Sequence, residues 1–143
     1  MTEKTIRFAH AAMDRADWHE ALRLWRGLGV EDPVAFWPKY WEANMLVALG
    51  DRAGGRQMLE KLLANPAYDE RFTLLSRLTE LALEDRDVSA GRKTFDEVKA
   101  MPQSTPESVE RLASWIIRLQ LESNGFPPSI FELDRDLLDL MPA

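Results

Sequence analysis

The chain has 143 residues, the length of one domain. It lacks cysteine, which excludes a disulfide scaffold, a Cys-ligated zinc site, an iron–sulfur cluster and a thiol nucleophile. Against 24 Asp and Glu stand 18 Lys and Arg, a net charge of −6 that repels phosphate backbones and argues against a nucleic-acid partner. No apolar run approaches the ~20 residues of a membrane span. Met1–Arg7 lacks the apolar stretch of a signal peptide, so a cytoplasmic address is expected.

Helical periodicity dominates and strand signals are nearly absent, which predicts an all-α fold of eight helices. The first covers about 2–15, with Ile6, Phe8, Ala9, Ala12 and Met13 apolar. The second opens on Asp17, with Glu20 at capping-box spacing behind it. It ends in the Gly27–Gly29 region, and Pro33 blocks continuation. The third is expected over 33–49 and the fourth over 52–64, stopped by Asn65–Pro66. The fifth covers about 67–84, and the sixth 88–100, stopped by Met101–Pro102. Thr105–Pro106 starts the seventh, which ends at Asn124–Gly125. Pro127–Pro128 is a stiff linker into an eighth, amphipathic helix over 129–141, bearing Ile130, Leu133, Leu137 and Leu140.

Paired helices with short turns suggest α-hairpins, and self-similarity supports repeats. Ala48–Arg52 matches Ala82–Arg86; after a two-residue insertion, Gly54–Pro66 aligns with Ala90–Pro102. Small, bulky, apolar and Pro positions recur as Ala21/Trp25/Leu28/Pro33, Gly55/Leu59/Leu62/Pro66 and Gly91/Phe95/Val98/Pro102. On these residues the chain resembles the tetratricopeptide (TPR) helical repeat family in degenerate form; Asp17–Leu22 is the most family-like stretch. The first helices lack the usual Trp…Leu-Gly…Tyr pattern. The resemblance implies a right-handed superhelix of stacked antiparallel hairpins forming a single domain. Its repeats would cover about 2–35, 36–66 and 67–102, with a capping helix at 105–124 and the tail helix at 129–141.

Chemistry-bearing patterns are few. His10 and Asp14 share a helix face at i,i+4 spacing, with His19 on another helix. Two histidines without cysteine make a poor metal set, and a solvated face is the expected role. The carboxylate pairs Glu80/Glu84, Asp85/Asp87 and Asp134/Asp136 fall at helix ends or on charged faces. Gly50–Arg56 lacks the Lys-Ser/Thr of a phosphate loop and follows no strand. No catalytic residue, metal site or cofactor is expected.

The unusual segment is the third helix, with Phe36, Trp37, Tyr40, Trp41, Met45, Val47 and Leu49. A helix apolar on most sides is either buried on most sides or presents aromatics to a partner. The TPR resemblance implies that first helices line an inner surface. That surface would hold Arg7 and His10, then Trp37, Tyr40, Trp41 and Asn44, then Arg71, Leu74, Leu75 and Leu78. Arg7, His10, Trp37, Tyr40, Trp41, Asn44, Arg71 and Leu75 are the candidate partner-binding residues, because Trp, Tyr and Arg dominate interface hot spots. The family's carboxylate clamp would fall on Ile6, His10, Trp41, Arg71 and Leu75. Of these only Arg71 has suitable chemistry, which argues against the clamp.

The expected function is a non-catalytic protein–protein interaction or scaffold module that binds a protein or peptide segment. The Asp17–Trp18…Trp25…Pro33 start is also similar to helical regions beside bacterial glycosyl- and sulfotransferase domains. The alternative is therefore a helical accessory domain of a larger enzyme. The acidic tail helix has two open roles: fixed core, or a detachable ligand for the chain's own groove that could exchange between copies to form a homodimer.

Overall fold

Helix-compatible periodicity becomes helix between short turns. The computed structural model describes residues 2–124 together with Leu137, Asp139 and Leu140. The described residues form seven helices and no strand: α1 (Thr2–Asp14), α2 (Trp18–Glu31), α3 (Phe36–Ala48), α4 (Arg52–Ala64), α5 (Arg71–Glu84), α6 (Val88–Lys99) and α7 (Pro106–Asn124). The fold is all-α.

One turn chemistry is used three times. Ala16, Gly50 and Arg86 adopt left-handed backbone, at φ 59°, 98° and 61°. The amide of the Asp that follows reaches back five residues in each case: Asp17 to the Ala12 carbonyl (2.8 Å), Asp51 to Leu46 (2.9 Å) and Asp87 to Ala82 (2.8 Å). The left-handed residue donates to the carbonyl three back, which completes a Schellman motif. The same Asp then caps the next helix, accepting from the amides of Glu20, Gly54 and Ala90. One short segment thus satisfies orphan carbonyls of one helix and an orphan amide of the next. This places Asp51 opposite Asp87, not Asp85. The Asp-Arg match that suggested an insertion in the turn is coincidental. The extra length falls upstream, where residues 65–70 lead into α5, against residues 32–35 leading into α3.

Other boundaries move for local reasons. α2 runs through Gly27 and Gly29 to Glu31, because neither glycine takes the left-handed conformation that would end it. α3 starts three residues after Pro33: the Ala35 amide donates to the Asp32 carbonyl (3.1 Å), so 32–35 is a turn. α5 starts at Arg71 because Asn65 folds the chain. Its side chain accepts from Ala67 (2.9 Å) and its carbonyl from Tyr68 (3.2 Å). At α7, Thr105 and Ser108 exchange side-chain and backbone hydrogen bonds in a reciprocal cap.

The chain divides into two compact units, Met1–Asp69 and Glu70–Ala143. In the first, α1 packs on α2, α2 on α3 and α3 on α4. Its core joins Ala9, Ala12, Ala21, Leu22, Trp25, Leu28 and Met45. In the second, α5 pairs with α6 and α7 packs on both, around Leu83, Phe95, Leu112, Ile116 and Leu119. The small, bulky and apolar positions of all three hairpins are buried, from Ala21, Trp25 and Leu28 to Gly91, Phe95 and Val98. A Cβ at Gly55 would lie 2.5 Å from the Ala43 carbonyl oxygen, and at Gly91 2.5 Å from Leu83 Cδ2. At both positions the facing helix approaches too closely for a Cβ, and glycine is what permits it.

The expected tail helix over 129–141 lies outside the described residues except for three. Leu137 is fully buried in the core of the second unit, while Asp139 and Leu140 are exposed.

Candidate functional site

The first unit gathers six of its aromatic residues, with His10, into one connected row. His10 from α1 meets Trp25 of α2 edge-on, with centroids 5.2 Å apart, and Trp41 of α3 at 6.0 Å. Trp25 stacks on Trp41 at 6.2 Å. The row continues along α3 through Tyr40, 5.2 Å from Trp41, to Trp37 and Phe36. It ends at Tyr68, 5.5 Å from Phe36. The i,i+3 and i,i+4 spacings of α3 place Phe36, Trp37, Tyr40 and Trp41 within reach of one another.

Burial varies along this row. Trp25 is 2% exposed and Phe36 8%, Tyr40, Trp41 and Tyr68 are half-buried, and Trp37 is 46% exposed. The helix is therefore neither wholly core nor wholly surface: its aromatic stripe is anchored at one side and opens to solvent at Trp37. The Trp25 indole N–H is buried without a hydrogen-bond partner. Val30 near the end of α2 and Val34 in the α2–α3 turn are exposed, at 80% and 79%.

Beside the aromatics runs an open groove of about 620 Å³ between α2, α3, α4 and Tyr68, all within the first unit. Val30, Met58, Leu62 and Tyr68 supply apolar lining. Arg26, Lys39 and Lys61 supply positive charge, against one carboxylate, Glu42. Glu42 is bound to Arg26 at 3.1 Å, so that pair is neutral. The Lys39 ammonium donates to the Pro33 carbonyl, a neutral partner.

The sequence-predicted residues separate. His10, Trp37, Tyr40 and Trp41 come together in the aromatic row. Arg7 is exposed on α1 beside Ile6. Asn44 is 7% exposed and donates to the Tyr40 carbonyl (3.0 Å), so much of its polarity is spent inside the helix. Arg71 and Leu75 belong to the second unit. Arg71 is exposed and pairs with Glu97 across α5 and α6. Leu75 corrects the expected inner surface, being 1% exposed with Leu74 at 1% and Leu78 at 5%. Three leucines on one helix gain most by leaving water, at about 25 cal/mol per Å² of apolar surface.

Sequence reasoning missed Tyr68 and the basic lining. Tyr68 lies two residues after Pro66 in a turn, where periodicity carries no information. Lys39 and Lys61 lie on different helices, and only the packing of α3 on α4 makes them neighbours of one groove. Among the described residues no group of three or more His, Asp or Glu side chains is placed to hold a metal ion. Nor is any described helix long and apolar enough to cross a membrane. Glu80 and Glu84, an i,i+4 carboxylate pair in the sequence, each lie near an arginine, Arg111 at 3.9 Å and Arg77 at 4.0 Å.

No protein-family model matches the chain, and comparison with curated proteins and with solved structures gives no significant match.

Proposed function

We propose that the chain is a non-catalytic, TPR-like protein–protein interaction module that grips a protein or peptide segment with the aromatic surface of its first unit. The observation that carries this is Trp37: a tryptophan left 46% exposed on a row of packed rings. A rigid, half-supported indole offers large contact area with little side-chain entropy left to lose on binding, which is why such residues concentrate binding energy at interfaces. The thrice-repeated turn and the small-residue contacts at Ala21, Gly55 and Gly91 support the TPR-like part of the reading.

The test is a pull-down from cells of the source with the intact chain and with Trp37→Ala, a substitution on a side chain that is not core. A specific protein retained by the intact chain and lost with Trp37→Ala, at unchanged helical circular dichroism, supports the reading. Equal retention by Trp37→Ala and by the double variant Trp37→Ala/Tyr40→Ala overturns it.

A further inference from the structure

The groove beside the aromatic row carries a charge pattern at odds with the rest of the molecule. The chain is −6 overall, yet the groove lining holds Arg26, Lys39 and Lys61 against Glu42 alone. Arg26 and Glu42 cancel at 3.1 Å. Two ammonium groups remain: Lys39 contacts a neutral carbonyl, and Lys61 is exposed on α4. They flank an apolar lining of Met58, Leu62 and the Tyr68 ring. Like-signed charges beside an apolar trough raise the local concentration of opposite charge. A volume of about 620 Å³ accommodates a large side chain and its neighbours rather than a whole folded surface.

We propose that this groove binds an acidic peptide segment that places one large apolar side chain on Met58 and Leu62 and its flanking carboxylates on Lys39 and Lys61. The proposal rests on the reading of the first unit as a protein-binding module and specifies the chemistry of its partner. Tyr68 connects the two regions, packing on Phe36 while lining the groove. A basic segment is disfavoured because both lysines would repel it. A purely apolar one would leave the two charges partly desolvated and unpaired.

The experiment is a selection of random dodecapeptides displayed on phage against the immobilised full chain, followed by fluorescence-polarisation titration of labelled, selected peptides. The expected result is enrichment of peptides with Asp or Glu around a Leu, Ile, Phe or Met. Their affinity should fall about tenfold or more with Lys39→Gln/Lys61→Gln, and further with Lys61→Glu, as for paired charges at a contact. It should also weaken between low and high salt. Lys61 is exposed and Lys39 half-buried, and circular dichroism of each variant establishes that the helices persist. Selected peptides that are neutral or basic, or acidic peptides bound equally by both lysine variants, overturn the proposal. If those peptides still lose affinity with Trp37→Ala, the interaction-module reading survives without it. If no selected peptide responds to either set of substitutions, both fail.

Discussion

At the scale of single residues, the two close-packed glycines should differ in how they tolerate a methyl group. At Gly55 the added Cβ meets a backbone oxygen, Ala43 O at 2.5 Å, and Val47 Cγ2 at 2.6 Å. A backbone atom yields only if α3 and α4 separate, so Gly55→Ala should lose about 1–3 kcal/mol. At Gly91 the nearest atom is the tip of Leu83, which can rotate. The helix propensity gained by Gly→Ala, about 1 kcal/mol, offsets much of that strain. Urea denaturation of Gly55→Ala and Gly91→Ala should therefore rank Gly55→Ala as clearly the more damaging; the reverse order would contradict the packing. A second residue-scale expectation concerns Glu20. Hydrogen bonding from the Arg23 guanidinium holds its carboxyl below its ordinary value of 4.5, and the charges of Arg23 and Arg15 act in the same direction. A lowered folded pKa means the pair's contribution to stability is present above about pH 4.5 and is lost as pH falls through the folded value. Both side chains face water, so the effect on stability is small and is best read locally. Carboxyl NMR titration should show Glu20 below the ordinary value, and Arg23→Gln should bring it back up.

At the scale of elements, the turn that joins each helix pair has two separable parts. The capping carboxylates satisfy amides at the start of α2, α4 and α6, so Asp51→Ala or Asp87→Ala should each lose about 1 kcal/mol. The left-handed position acts through backbone sterics. Gly50 occupies it without strain at φ 98°, while Ala16 holds φ 59° against its own Cβ. Ala16→Gly should thus gain about 0.5–1 kcal/mol and Gly50→Ala lose a similar amount. Thermal denaturation of the pair should move in opposite directions; a loss with Ala16→Gly would show that the Schellman geometry does not govern this turn.

At the scale of the molecule, each unit has its own hydrophobic core, and the second recruits a residue far along the chain. Leu137 is fully buried beside Leu112, Ile116 and Leu119, whereas Leu140 is exposed. A ligand that detaches freely would leave that core short of one leucine. Leu137→Ala should therefore lose about 2–5 kcal/mol, as other buried leucines do. Leu140→Ala should stay within about 0.5 kcal/mol. Calorimetry of the two variants decides between fixed core and detachable tail: equal, small shifts would favour detachment.

The helical class, the Asp17 cap and the Ala21/Trp25/Leu28 pattern were legible in the sequence. They depend on interactions within a few residues, where spacing is geometry. The exact turn register was not, because the left-handed positions are filled by Ala, Gly and Arg, and only backbone hydrogen bonds show their equivalence. The aromatic helix could be recognised as unusual, but not how its rings divide between core and surface. That depends on which side α2 and α4 cover, and the answer runs from Phe36, which is buried, to Trp37, which is exposed. The leucines of α5 have the same periodicity whether they line a groove or fill a core; packing put them inside. The basic groove was invisible for the same reason. Lys39 is far from Lys61 and Tyr68 in the chain, and side chains on separate elements become one site only when tertiary contacts bring those elements together.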